Sequence, residues 1–150
     1  MADRSQGSPI VRVITREDIP EVVRMVRELA EFEKLSDEMV ATVEDYEEAF
    51  FGDSPAAEAL VAEVNGRPAG YAIFFSTFST FVGKAGIWLE DLYVRPEYRK
   101  RGVGRELLFS VGDIAEERGA GRYEWCVLDW NRNAIDLYTR VGGEILEEWR

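Results

Sequence analysis

The sequence predicts a single α+β domain, and three observations indicate it. The chain has 150 residues, an ordinary length for one domain, and 46% of them are hydrophobic, enough for a buried core. The apolar pattern predicts the element order β-α-α-β-β-β-α-β-α-β. Antiparallel strands come first and strand–helix alternation follows, which is typical of an α+β layout. We expect a flexible lead-in over residues 1–9 and one domain over residues 10–150.

Alternation of apolar and polar residues, together with turn signals, predicts the strands. They occupy residues 10–14, 57–64, 67–78, 86–94, 123–128 and 144–149. Asn65-Gly66, a strong hairpin dipeptide, joins the second strand to the third. The sequence therefore predicts an antiparallel pair at this point.

Apolar residues at helical spacing predict the helices. They occupy residues 15–35, 42–52, 102–118 and 131–143. Either Thr15 or Asp18 is suited to cap the first helix. In the second helix, Thr42 and Asp45 form a capping-box pair and Gly52 ends the helix.

The composition excludes several classes of active site. The chain has no histidine and one cysteine, Cys126, so a Ser-His-Asp triad, an HExxH protease and a zinc finger are impossible. Proton transfer must then use carboxylates, tyrosine, lysine, backbone groups or water. We expect no metal, no nucleic acid and no membrane, since the net charge is −11 and no apolar run approaches roughly 18 residues. The lone cysteine fits the cytoplasm and, inside a predicted strand, should be a buried, inert thiol.

A basic, glycine-containing segment, YRKRGVGREL (98–107), stands out in this acidic chain. It lies between a predicted strand and a predicted helix, where unpaired N–H groups, cations and glycines favour a bound anion. It lacks the Lys-Ser/Thr of a Walker A loop, and Leu107 replaces the third glycine of a dinucleotide fingerprint. The remaining pattern, R-x-x-G-x-G from Arg99 to Gly104, predicts a pyrophosphate site, although in isolation it also fits a charged loop.

Four blocks, RELAEFEKL, GYAIFF, STFVGKAGIWLEDLYVRPEYRKRGVG and LDWNRNAIDLYTRVGG, occur in this order. They resemble the GNAT acetyltransferase superfamily, in particular its spermidine/spermine and thialysine branch. The resemblance implies the GNAT fold, a mixed, mostly antiparallel twisted sheet of six to seven strands flanked by about four helices. It also implies acetyl-CoA as cosubstrate, a homodimer, and acetyl transfer to the primary amine of a polyamine, diamine, thialysine or related basic amino acid.

The same resemblance assigns coenzyme contacts to three segments. Backbone groups on a strand splayed from its neighbour should bond the pantetheine arm, namely those of Leu92, Tyr93 and Val94. The residues expected around the phosphates are Arg99, Lys100, Arg101, Gly102, Val103, Gly104 and Arg105. The last helix should also touch the coenzyme, through Asn131, Arg132, Asn133, Ala134 and Tyr138.

The chemistry requires a proton acceptor and a proton donor. An amine with a pKa near 10.4 needs about 4 kcal/mol to lose its proton at neutral pH. The resemblance implies that Glu90 relays this proton, directly or through water, and that Tyr138 protonates the departing CoA thiolate. Regular strand alternation places Glu90 and Asp91 on opposite faces. Without the resemblance, Glu90 and Asp91 read as ordinary strand carboxylates beside an arginine, and the alternative for Tyr138 is a core tyrosine on an amphipathic helix.

The resemblance also implies substrate contacts from Phe32, Glu33, Glu90, Asp91 and Glu124, with Asp91 holding either the substrate or a subunit contact. Nine carboxylates against Lys34 lie between residues 28 and 48 and read as a solvated helix face, but an acidic mouth would also attract a cationic amine.

The acceptor and the activity leave alternatives open. Ser79 and Phe81 stand where polyamine enzymes generally carry aspartate and tryptophan, whereas LDWN resembles the thialysine branch more closely. The alternative to an enzyme is a non-catalytic acyl-CoA-binding or regulatory domain with the same fold. The presence of both Glu90 and Tyr138 favours catalysis.

Overall fold

Residues 7–144 and residue 146 are described by a computed structural model, and within them the chain forms five strands and four helices. The strands are β1 Ile10–Val13, β2 Glu58–Val64, β3 Arg67–Ser79, β4 Lys84–Val94 and β5 Tyr123–Trp125. The helices are α1 Ile19–Phe32, α2 Val43–Phe51, α3 Val103–Glu117 and α4 Arg132–Arg140. The predicted mixed α/β fold class with four helices is confirmed.

The number of strands differs from the expected six to seven. The described residues contain five, and the predicted last strand, 144–149, lies largely outside them. β5 ends at Trp125 instead of residue 128, because its pairing with β4 stops there. Cys126 follows the strand and is exposed, so the expectation of a buried thiol is wrong.

The strands form one mixed sheet in the order β1-β2-β3-β4-β5. Neighbours from β1 to β4 pair antiparallel, whereas β4 and β5 run parallel. Asn65 and Gly66 have φ angles of 53° and 75°, as a two-residue type I′ hairpin requires. The predicted hairpin between β2 and β3 is therefore confirmed.

Apolar side chains cover both faces of the sheet. One face packs against α3 and is called the α3 face; the other packs against α1 and α2 and is called the α1 face. In β3, Ala72 and Phe74 lie on the α3 face, whereas Tyr71 and Ile73 lie on the α1 face. The sheet is thus the middle of three layers, and the parity of a residue along its strand decides which layer it reaches.

Local sequence signals fix the helix starts. Thr42 and Asp45 form the predicted capping box, with the Asp45 N–H donating to Thr42 Oγ1 at 3.2 Å and the Thr42 N–H donating to Asp45 Oδ2 at 2.8 Å. Thr15 and Asp18 flank a short 3-10 turn in which the Thr15 N–H donates to Asp18 Oδ2 at 2.7 Å, and α1 begins at Ile19. The predicted capping box of α2 is confirmed, whereas neither Thr15 nor Asp18 accepts a side-chain capping bond at the start of the first helix.

An ion-pair cluster fixes α1 against the end of β4. Arg95, directly after β4, donates hydrogen bonds to the carboxylates of Glu21 and Glu28 on α1. The Tyr93 hydroxyl donates to Glu28 Oε1 at 3.0 Å. The Arg95 side chain is 14% exposed, so solvent screens these interactions only weakly. The cluster sets the position of the end of α1, which Glu33 follows.

Candidate active site

β4 and β5 separate halfway along β4. Their parallel pairing runs as far as Leu89 with Trp125. β4 continues to Val94 and stays paired with β3 on its other side. The edge that includes Leu92 and Tyr93 therefore lies beyond the described pairing with β5. An open edge of this kind can take up an extended chain with its own amide groups, as an added strand does.

The glycine-containing turn lies directly beyond this open edge. α3 begins after Gly102, whose φ is +79°, and Lys100 also has a positive φ, +65°. The Glu106 N–H donates to the Gly102 carbonyl and closes the first turn of α3, so the N–H groups before Glu106 have no partner inside the helix. A Cβ at Gly102 would meet no atom within 4 Å. The space in front of the helix start is therefore open.

Four cationic side chains surround the turn, namely Arg99, Lys100, Arg101 and Arg105. All four are exposed, and none forms a salt bridge within the part of the chain that the structure describes. Three lie over aromatic rings instead, Arg99 at 5.5 Å, Arg101 at 5.8 Å and Arg105 at 5.3 Å from the ring centroid. Helix N–H groups and cations without carboxylate partners together suit a diphosphate.

A β-bulge at Glu90 changes the alternation of β4. The pairing with β3 skips Glu90, which is the extra residue between Leu89 and Asp91. Leu89 packs on the α3 face, yet Asp91 bonds to Tyr71 on the α1 face. Glu90 accepts a hydrogen bond from Trp88 Nε1 at 3.3 Å, and Trp88 lies on the side opposite Leu89. The expectation of opposite faces is wrong, because the bulge turns both carboxylates to the α1 face.

Asp91 lies in a buried and acidic environment. The Tyr71 hydroxyl donates to Asp91 Oδ2 at 3.2 Å. The pKa of Asp91 is raised to about 6, first by burial and then by the charges of Glu90 and Glu33, against the lowering effect of the Tyr71 hydrogen bond. Burial also raises the pKa of Glu33. Carboxyl groups perturbed in this way cluster at functional sites.

Tyr138 on α4 packs against the core cluster of the α3 face and lies within range of the charges of the same carboxyl groups. Its ring packs against Trp125, with 5.2 Å between the centroids. Its pKa is raised to about 12, first by burial and then by the charges of Glu33 and Asp91. The hydroxyl therefore stays protonated at neutral pH. Glu33 after α1, Asp91 on β4 and Tyr138 on α4 thus lie within range of one another's charges.

A stack of cations and aromatic rings runs from the end of α1 to the turn. Lys34 lies 5.3 Å from the centroid of Trp130, and the rings of Trp130 and Phe32 are 5.6 Å apart. Arg99 lies over the other ring, Phe32, and its Nε donates to the Val94 carbonyl at 3.0 Å. Phe32 thus contacts the basic turn directly, one residue before Glu33.

The other predicted residues lie around this group. Glu124 on β5 is in register with Trp88 and so reaches the same face as Glu90. Asn131 caps α4, since its Oδ1 accepts from the Ala134 N–H at 3.3 Å. Arg132 and Asn133, the first two residues of α4, are exposed. The Asn131 side chain is therefore engaged in its own helix.

Sequence reasoning misses four aromatic residues of the site, Tyr46, Tyr71, Trp88 and Trp130. They occur in apolar or amphipathic runs, where an aromatic side chain indicates packing. Burial raises the pKa of Tyr46, and the negative charge of Asp91 raises it further, so Tyr46 lies within range of that charge. Only Trp88 could have been found from the sequence. It precedes the predicted site residue Glu90 by two positions, and residues two apart on a strand share a face.

The fold and the site define one class of protein. An open strand edge that leads to a cationic, glycine-containing helix start is the arrangement expected of an acyltransferase of the GNAT type. Residues 23–143 match the family model described as the acetyltransferase (GNAT) family. The chain belongs to this family and is an N-acetyltransferase.

The chain is also similar to individual members of this family. The chain is 38% identical over 150 residues to a thialysine N-epsilon-acetyltransferase of Sus scrofa, covering 95% of this chain and 88% of the relative. It is 28% identical to an L-ornithine N5-acetyltransferase of Arabidopsis thaliana, covering 93% and 81%. The solved structure of a ribosomal-protein-alanine N-acetyltransferase from Brucella melitensis superimposes with a TM-score of 0.77 at 22% identity, covering 95% of each chain. The resemblance to the thialysine branch is confirmed.

Two further features of the described residues bear on the expected partners. None of their helices is both long and apolar enough to pass through a bilayer. Nor do they contain three or more Cys, Asp or Glu side chains arranged to hold a metal ion.

Proposed function

We propose that the protein transfers an acetyl group from acetyl-CoA directly to the primary amine of a small cationic substrate, such as a diamine, a polyamine, thialysine or a related basic amino acid. One observation carries the proposal: the open edge of β4 leads to a basic helix start, and Glu33, Asp91 and Tyr138 lie within range of one another's charges. GNAT acetyltransferases generally use acetyl-CoA, and this arrangement offers a place for each part of it.

Three groups of residues are assigned to the coenzyme. Main-chain groups of Leu92, Tyr93 and Val94 are assigned to the pantetheine arm, since the β5 side of this edge is open. The diphosphate is assigned to the turn, through Arg99, Lys100, Arg101, Gly102, Val103, Gly104 and Arg105. Open space at Gly102 and four cations without carboxylate partners among the described residues support this assignment. The opening of α4, through Asn131, Arg132, Asn133 and Ala134, is assigned to the side of the coenzyme.

A cationic acceptor fits the acidic group on the α1 face. Glu33, Glu90 and Asp91 lie close enough for the charges of the other two to raise the pKa of Asp91. None of the three forms a salt bridge within residues 7–144 and 146. A substrate ammonium group supplies the missing positive charge. Phe32 offers an apolar surface beside it, and Glu124 adds a further carboxylate on the same face.

The chain's own residues divide the proton transfers between them. Bound acetyl-CoA supplies the activated thioester carbon. Glu90 is exposed, so we assign it to relay the amine proton towards solvent, directly or through water. Tyr138 carries its proton at neutral pH and is assigned to donate it to the leaving thiolate. An acceptor cation bound near Glu33 and Asp91 would offset the two charges that raise the pKa of Tyr138 and so strengthen it as an acid.

A homodimer and a cytoplasmic location complete the proposal. Exposed apolar side chains at the β3–β4 turn, Phe78 and Phe81 at 69% and 95% exposure, are available for a subunit contact. The free cysteine, Cys126, is compatible with a reducing compartment. Light scattering coupled to size exclusion would measure the mass, and a monomer at micromolar concentration would contradict the dimer.

The activity is tested by following the release of free thiol from acetyl-CoA with spermidine, putrescine, ornithine, lysine and thialysine. We expect turnover with at least one of these amines. Tyr138→Phe should lose at least about 100-fold in kcat, because a general acid contributes roughly 10²–10⁴-fold. The variant should keep its affinity for CoA, which calorimetry measures.

The matched control is Tyr123→Phe. The Tyr123 hydroxyl is also half-buried, but it donates to the Leu108 carbonyl at 2.8 Å, on the α3 face. This variant should keep its kcat while losing a similar hydroxyl. Tight binding of CoA without turnover of any amine would favour a regulatory binding domain and overturn the proposal.

A further inference from the structure

Tyr71 lies in the middle of β3 with no exposed surface. It pairs with Tyr93 across β3 and β4, and the two rings are 6.1 Å apart. Because the bulge turns Asp91 to the α1 face, the Tyr71 hydroxyl reaches diagonally along β4 to Asp91 Oδ2. In a regular strand Asp91 would share the face of Leu89, so this hydrogen bond depends on the extra residue at Glu90.

The groups facing Asp91 come from four elements and the segment after α1. Negative charge comes from Glu33, after α1, and from Glu90 on β4. Phenol groups come from Tyr71 on β3, Tyr46 on α2 and Tyr138 on α4. No guanidinium or ammonium group bonds to Asp91 among the residues that the structure describes, and its donor there is the Tyr71 hydroxyl.

Structural carboxylates elsewhere in the molecule are held differently. Asp18 pairs with Arg12, and Glu28 pairs with Arg95. A guanidinium both orients a carboxylate and neutralises it, so little attraction remains for another cation. A phenol orients the carboxylate through a hydrogen bond but adds no charge. The negative charge of Asp91 is thus fixed in place and left available.

We infer that Tyr71 is a positioning residue for acceptor recognition, because its buried hydroxyl holds the Asp91 carboxylate in its charged form, ready to bind the ammonium group of the acceptor. This inference rests on the proposed function and adds a residue that it does not contain. Tyr71 has no route to the reacting atoms of its own, since its side chain is fully buried. Its effect on the reaction passes through Asp91.

The test compares Tyr71→Phe with the wild type. The change removes one oxygen from a buried ring and leaves its packing intact. We expect the KM for the best acceptor of the panel to rise about three- to tenfold at pH 7.5, the range of one lost hydrogen bond to a charged group that water partly replaces. The kcat at saturating acceptor should stay within about twofold. In the wild type the hydrogen bond from Tyr71 favours the charged form of the Asp91 carboxylate. In Tyr71→Phe the acceptor KM should therefore begin to rise at a higher pH as the pH is lowered.

A second measurement does not need turnover. Carbon-13 NMR follows the Asp91 carboxyl carbon through a pH titration, with Asp91→Asn identifying the signal. Its midpoint should be higher in Tyr71→Phe than in the wild type and unchanged in Tyr123→Phe, which loses a hydroxyl on the other face of the sheet. If the role of Tyr71 were purely structural, Tyr71→Phe and Tyr123→Phe would lower the melting temperature alike. Neither variant would then move the titration midpoint of Asp91 or the KM for the acceptor.

The outcomes separate the two proposals. A wild type that acetylates no amine overturns the proposed function, and the NMR midpoint still decides whether Tyr71 holds Asp91 charged. An active wild type whose titration midpoint and KM profile match those of Tyr71→Phe overturns the role of Tyr71 and leaves the proposed function standing. If Asp91→Asn leaves the acceptor KM unchanged, the recognition role of the pair is overturned.

Discussion

At Asp91, burial and two neighbouring carboxylates oppose the charge that acceptor binding needs. The group's pKa is raised from the ordinary 3.8 to about 6, so ionising it at neutral pH consumes part of the folding free energy. Selection for stability alone would neutralise or remove such a group. The strain at Asp91 is therefore best explained by a cation that arrives with the substrate.

Replacing Asp91 with Asn should separate stability from activity. Between pH 3.8 and about 6 the folded state binds more protons at this site than the unfolded state, so the free energy of unfolding falls as pH rises. Asp91→Asn lacks this loss and should be more stable than the wild type by roughly 1–3 kcal/mol at pH 7.5. The advantage should vanish near pH 4, while the acceptor KM rises at pH 7.5. Urea unfolding at both pH values measures the difference.

Asp113→Asn is the matched control for that comparison. It removes one negative charge from an exposed position on α3, away from the α1 face. Its stability should follow that of the wild type at both pH values, within about 0.5 kcal/mol. If Asp91→Asn shows the same small, pH-independent change, the charge of Asp91 does not strain the fold.

The individual site residues could be predicted from sequence only where a motif names them. Glu33, Asp91 and Tyr138 are predicted by resemblance, and in the structure they lie within range of one another's charges. Tyr71 was not predictable, because a tyrosine in GYAIFF looks like every other core residue of that run. Its role depends on which carboxylate lies diagonally across β4, and the strand register decides that.

The bulge at Glu90 is the element that regular patterns miss. Strand bounds and the hairpin follow from local signals such as Asn65-Gly66, and β2, β3 and α3 lie within about one residue of their predicted bounds. The pattern of apolar and polar residues in LEDLYV is the same with or without a bulge. The extra residue becomes evident only when β3 is paired with β4. The shortening of β5 has a similar cause, since the loss of a partner strand ends it, and YEWCVL is apolar enough to continue.

The helix start after the turn allows a paired glycine experiment. Gly102 before α3 and Gly119 after it have φ angles of +79° and +65°, and a Cβ at either would meet no atom within 4 Å. Alanine at either site should therefore destabilise the fold by a similar amount, about 1–2 kcal/mol from the left-handed conformation. Only Gly102→Ala places a methyl group in the space assigned to the diphosphate.

We expect Gly102→Ala to bind CoA at least about tenfold more weakly than Gly119→Ala, because the methyl group obstructs close approach to the helix N–H groups. Calorimetric titration with CoA measures both affinities, and urea unfolding confirms that the two variants are equally destabilised. Equal CoA affinities in the two variants would place the diphosphate elsewhere.

Over the whole molecule, charge is distributed unevenly along the chain. The net charge is −11, and nine carboxylates lie between residues 28 and 48, against one lysine. Four cations are concentrated at residues 99–105. The acceptor and the coenzyme are thus expected to meet opposite local charges, an arrangement that attracts a cation to one side and a polyphosphate to the other.

This distribution predicts a salt effect that depends on the charge of the acceptor. At saturating acetyl-CoA, kcat/KM should fall as ionic strength rises from about 0.05 to about 0.5 M, because the Debye length shrinks from roughly 14 Å to 4 Å. The slope should be about twice as steep for 1,4-diaminobutane as for butylamine, which has the same chain length and half the charge. The kcat at saturating amine should change little, since the bound cation is screened less. Equal slopes for the two amines would mean that the acidic surface does not guide the acceptor.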